Sequence, residues 1–137
     1  MGTYFFTWGY SMKKILQYLL LVPAVFLFTV ASAQAADSGI STMAAIIMHL
    51  NHYPDSSEQE KLAGIVADQH TSAGEKNLAN ALKNMRHSVG GSDADKLRQL
   101  QSDASASKQE KELAGILLGI THHPSDSDKQ QLKALID

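Results

Sequence analysis

The 137-residue chain contains no cysteine, which excludes a disulfide framework and any thiolate metal site. Aromatic residues are almost missing from most of its length. Eight of the nine lie before residue 30, and Tyr53 is the only one beyond. That excludes a set of aromatic platforms for stacking bases or sugars. Acidic residues are absent before Asp37, where the only basic residues are Lys13 and Lys14. From Asp37 onward there are ten basic and fourteen acidic residues, a net charge of −4 with histidine neutral. No basic footprint for a phosphate backbone is available, so nucleic acid is excluded as a partner. No apolar run reaches the roughly 20 residues needed to cross a bilayer. The longest, Ile15 to Val30, has 16 residues and is interrupted by Gln17, Pro23 and Thr29.

That run has a different reading. Lys13-Lys14 precedes it, and the small residues Ala31-Ser32-Ala33-Gln34-Ala35-Ala36 follow it. A positive start, an apolar middle and an A-x-A exit predict a secretory signal peptide over 12–36. Residues 1–11 fit no part of such a signal and read as an upstream extension of the frame. The expected product is an exported, periplasmic or secreted domain over 37–137, with no membrane attachment after cleavage.

What is present beyond Asp37 is a period of 35 residues. His52, His87 and His122 fix the register, with Leu62, Leu97 and Leu132 ten residues after them and Ser57, Ser92 and Ser127 five after. Ile47, Leu82 and Leu117, then Leu50, Met85 and Ile120, recur five and two residues before. The repeats are 37–71, 72–106 and 107–137. The length approaches that of tetratricopeptide repeats, but their tryptophan and tyrosine pattern is absent.

Each repeat reads as two helices. Asp37, Ser72 and Ser107 are expected caps of the first, with capping boxes at Ser72/Glu75 and Ser107/Glu110. Apolar residues then recur at helical spacing up to Leu50, Met85 and Ile120. Pro54, Pro124 and the Gly90-Gly91 pair break the chain. The second helix is expected to start at Ser57, Ser92 and Ser127, with Glu60, Asp95 and Gln130 completing the boxes. Its apolar stripe is narrow, which predicts an outer position. No segment alternates like a strand. The fold class is all-α: three helical hairpins, six helices, forming a compact bundle or a short α-solenoid. Lys76, Asn77, Asn80, Lys83 and Asn84 dilute the middle inner helix, whereas the first and third are apolar nearly all round. This predicts that repeats 1 and 3 touch, with Gly115 and Gly119 permitting close approach, or that a homodimer covers them.

All six histidines lie beyond the leader: His49, His52, His70, His87, His122 and His123. Two chemistries compete for the repeated ones. An imidazole just past a helix end can donate to orphan carbonyls and meet the negative end of the dipole. Alternatively His49, His52, His87, His122 and His123 form a set of ligands for zinc, copper or nickel, with Met48 and Met85 as soft additions. In a linear stack the repeated histidines would be 8–10 Å apart, one interhelical distance. That is too far for shared ligation at about 2 Å, so the metal reading requires loops that converge. No hydrolase elbow, zincin motif or phosphate loop occurs, and catalysis is not expected. The sequence points first to a non-catalytic protein-interaction module presenting Tyr53, Val89 and His123 to a protein partner. The alternative is a histidine-based transition-metal protein of the periplasm.

Overall fold

The structure, a computed structural model, describes residues 33–137, with side chains from residue 39. Nearly all of the expected leader therefore lies outside the described residues, as does the 1–11 extension. Six helices follow in order: α1 (Ala33–Met48), α2 (Ser56–Ala67), α3 (Ala73–Asn84), α4 (Gly91–Ser102), α5 (Lys108–Gly119) and α6 (Asp126–Ile136). Among the described residues there is no strand, and no helix is long and apolar enough to cross a membrane.

The helices form two shells. α1, α3 and α5 touch one another at the centre. Each outer helix lies over two inner ones: α2 on α3 and α1, α4 on α5 and α3, α6 on α1 and α5. α2 and α4 pack most extensively on the inner helix that follows them in the chain, and α6 packs most extensively on α1. The tight structural pairs are thus α2–α3, α4–α5 and α6–α1, offset by one helix from the hairpins expected from the sequence. The last pair joins the first and last of the described helices and closes the ring.

Closure explains why every inner helix is buried alike. Over 41–50, 76–85 and 111–120 the pattern of buried, half-buried and exposed positions is the same, residue for residue. The expectation of a less covered middle helix is not met: Leu78, Ala79 and Leu82 are fully buried. Lys76, Asn77, Asn80, Lys83 and Asn84 occupy half-buried or exposed positions, the places taken in α1 by Ser41, Thr42, Ala45, Met48 and His49. Polarity there decorates a helix flank without loosening the core. Leu62, Leu97 and Leu132 are the deepest residues of the outer helices, each with no exposed surface.

The caps depart from the expectation in two ways. α1 runs through Asp37, upstream into alanine-rich sequence that favours helix, so Asp37 is no cap. The outer helices start two residues earlier than expected. Asp55 caps α2 with Glu58 completing the box, and Ser125 caps α6 with Asp128. Gly90 precedes α4 without a side-chain cap. Ser57, Ser92 and Ser127 instead lie in the first turn; Ser57 Oγ donates to Asp55 Oδ1 at 2.9 Å. The boxes at Ser72/Glu75 and Ser107/Glu110 form as expected.

Those two glutamates also tie neighbouring inner helices together. Glu75 and Glu110 are buried, at 2% and 7% exposure. A Cβ on Gly39 would stand 2.6 Å from Glu75 Oε1, and a Cβ on Gly74 would collide with Glu110 Oε1. The missing side chains make the space. Gly115 and Gly119 do not play the part expected of them: Gly115 faces Gln101 of α4, and Gly119 has open space beside it. Ser72 Oγ donates to Glu110 Oε1 at 2.5 Å, while Ser107 N donates to Oε2 at 2.7 Å. Burial pushes the Glu110 carboxyl up, but the Ser72 hydroxyl and the Ser107 donors outweigh it and hold it below the ordinary 4.5. A depressed folded value stabilises the native state above the ordinary value. That contribution disappears as pH falls through the folded value. Glu110→Gln is therefore expected to flatten the acid limb of melting temperature against pH, below about pH 5. An unchanged limb would show that Glu110 carries no such linkage.

Candidate metal centre

Each connection between an inner and an outer helix is pinned at both ends. Leu50, Met85 and Ile120 are buried two residues before the repeated histidines. Pro54 and Pro124 are buried two residues after, and half-buried Val89 takes the proline's place in the middle copy. Between fixed points so close together, the backbone must turn sharply at the histidine. All three adopt left-handed backbone angles: φ is 74° at His52, 115° at His87 and 79° at His122. They are the only non-glycine residues to do so among those described.

The turns interlock. His52 N–H donates to the His122 carbonyl at 2.9 Å, His87 N–H to the His52 carbonyl at 3.1 Å, and His122 N–H to the His87 carbonyl at 2.7 Å. Three residues thus form a closed ring of backbone hydrogen bonds at one end of the inner helices. The side chains follow the backbone. Ring centroids lie 5.1 Å apart for His52–His87, 5.4 Å for His52–His122 and 5.1 Å for His87–His122. One nitrogen from each ring falls within 4.8 Å of the other two. His52 is half-buried and the other two are exposed, so the group opens outward.

The arrangement suits a tripod of neutral donors. Zinc–nitrogen bonds of 2.0–2.1 Å place tetrahedral ligand atoms about 3.3 Å apart. The ligand atoms lie within 4.8 Å of one another, so a shared ion would draw them closer, and two of the three rings are exposed. His52 Nδ1 lies 2.7 Å from Asn51 Oδ1. With the amide oxygen accepting, Nδ1 carries the proton and the lone pair of Nε2 is free to bind a metal. Outer-shell partners commonly fix metal-binding histidines in this way. The carbonyl-capping role expected of these rings is not what they do: no ring nitrogen among the described residues bonds a helix carbonyl. Each helix end is closed by backbone bonds instead, such as Met85 N–H to Leu82 O and Ile120 N–H to Ile116 O.

The five-histidine set narrows to three. Among the described residues, only His52, His87 and His122 bring ligand atoms together. His49, His70 and His123 are exposed and stand outside the group. Met85 is buried in the core, and Met48 packs against it. On the surface expected to receive a partner, Tyr53 is 55% exposed, but Val89 packs against the core. The left-handed backbone and the hydrogen-bond ring were missed in the sequence. A histidine at the same place in three loops, two residues before a proline in two of them, was the signal available. Compared with protein-family models, curated proteins and solved structures, the chain matches none.

Proposed function

We propose that the chain binds one divalent transition metal through His52, His87 and His122. Zinc, copper and nickel all suit three imidazoles. The observation that carries this reading is the conjunction of strain and convergence. A left-handed backbone costs non-glycine residues about 1–3 kcal/mol each, and glycine would meet the same geometry freely. Three histidines at three such positions, aimed at one point, imply that the imidazole itself is required. We read the chain as three copies of one hairpin closed about an approximate threefold axis. Such closure brings repeat-equivalent side chains together at the axis, where a linear stack would keep them apart. The leader-like 12–36 segment goes with an exported metal carrier or buffer, and the mass of the mature chain would test that part. A protein-interaction role has only Tyr53 to support it.

Equimolar zinc is expected to raise the melting temperature, with a stoichiometry of one by titration calorimetry. At free metal about 100 times the dissociation constant the gain is roughly 2.7 kcal/mol. His87→Ala should abolish the shift while His49→Ala leaves it intact. A shift that survives His87→Ala, or no shift with any of the three metals, would overturn the proposal.

A further inference from the structure

We infer that the metal-loaded tripod takes a small oxyanion, a carboxylate or bicarbonate, as its fourth ligand, and that Arg86 flanks the bound anion. This rests on the metal proposal above. Three neutral imidazoles leave the full double charge of a divalent ion in place, and such an ion dominates the local field. Nothing in the loops offsets it. Residues 49–54, 84–89 and 119–124 contain no aspartate or glutamate, in a segment whose overall balance is acidic. The acids that follow the histidines most closely in sequence are committed elsewhere or belong to helix starts. Asp55 caps α2. Asp93 accepts from Asn84 Nδ2 at 2.9 Å and pairs with Lys96 at 3.5 Å. Asp126 sits in the first turn of α6, four residues past His122. The compensating charge must then come from solution.

The residue that precedes His87 in the chain is a cation suited to recognise it. Arg86 is exposed and makes no ion pair among the described residues, whereas the only other arginine of the chain, Arg98, pairs with Asp95 at 2.8 Å. A guanidinium matches a planar oxyanion with two parallel donors. The outward opening of the site, with His87 and His122 exposed, admits a small ligand and leaves a fourth position for it.

The test uses cobalt(II) in place of zinc, with bicarbonate and acetate as probes. Visible absorption of the cobalt-loaded chain reports coordination, and its appearance on loading tests the metal site by itself. Each anion is expected to change that spectrum saturably. Arg86→Ala should weaken anion binding by about fivefold or more, as loss of one charge-assisted contact implies, with cobalt affinity unchanged. Arg86→Lys should weaken it less. A cobalt spectrum that ignores both anions, or anion affinity that ignores Arg86, overturns this inference and leaves the metal site standing. Failure to load cobalt, zinc, copper or nickel overturns both.

Discussion

His87→Gly is expected to make the metal-free protein more stable and to abolish its response to zinc. At φ 115° His87 is furthest of the three from any conformation an ordinary residue prefers. Releasing that strain contributes about 1–3 kcal/mol. Against it stand the unfolded-state entropy of glycine, about 0.5–1 kcal/mol, and the loss of two ring contacts. A net gain of about 1 kcal/mol moves the melting temperature by about 4–8 °C in a domain this small. The backbone ring survives, since it uses only the N–H and carbonyl of residue 87. His87→Ala separates the two effects, because alanine keeps the strain and loses the ligand. Chemical denaturation of the three proteins with and without zinc makes the comparison. If His87→Gly proves less stable than the parent without metal, the imidazole cluster is itself a structural element, and strain no longer argues for function.

Deleting α6 is expected to end cooperative folding. The loss exposes the flank of α1 that α6 covers and removes Leu132 and Leu135 from the core. Leu132→Ala alone should cost about 2–5 kcal/mol, a large part of the 5–15 kcal/mol typical of a domain. Lost length is one explanation; a broken ring is another. A circular permutant distinguishes them. It joins Asp137 to Ser38 through five residues, the length of the 68–72 and 103–107 loops, and opens the chain at the latter. If closure is what matters, the permutant melts within a few degrees of the parent while the deletion shows no transition by circular dichroism. A permutant that fails to fold would show that the order of the helices, and not the ring, governs assembly.

The division into six helices was legible because each inner helix carries its own periodicity and stop. Leu62, Leu97 and Leu132 also announced their depth through a period of 35. Closure was legible only for a partly mistaken reason. The polar residues of α3 suggested a poorly covered middle helix, yet they lie on flanks that are equally open in α1 and α5. What the period concealed was pairing. A repeat defines which residues are equivalent, not which copy each helix packs against, and α2 prefers α3. One cross-repeat contact had a trace in the sequence: Gly39 and Gly74 each precede a buried glutamate by 36 residues. At the closing seam both members change together, to Gln109 and Ile40. At the site, local rules suggested a capping imidazole because they treat one loop at a time. The arrangement that unites His52, His87 and His122 depends on a closed ring, which no single loop encodes.

The link between the His52 amide and the His122 carbonyl joins residues seventy positions apart. A growing chain therefore owns at most two of the three donors until its last hairpin has been made. Under the proposed function, tight capture of a metal would wait until the third hairpin is present, and a chain lacking it would be a poor competitor for the ion. The three histidines would then act as a clasp that closes only when all three hairpins are present.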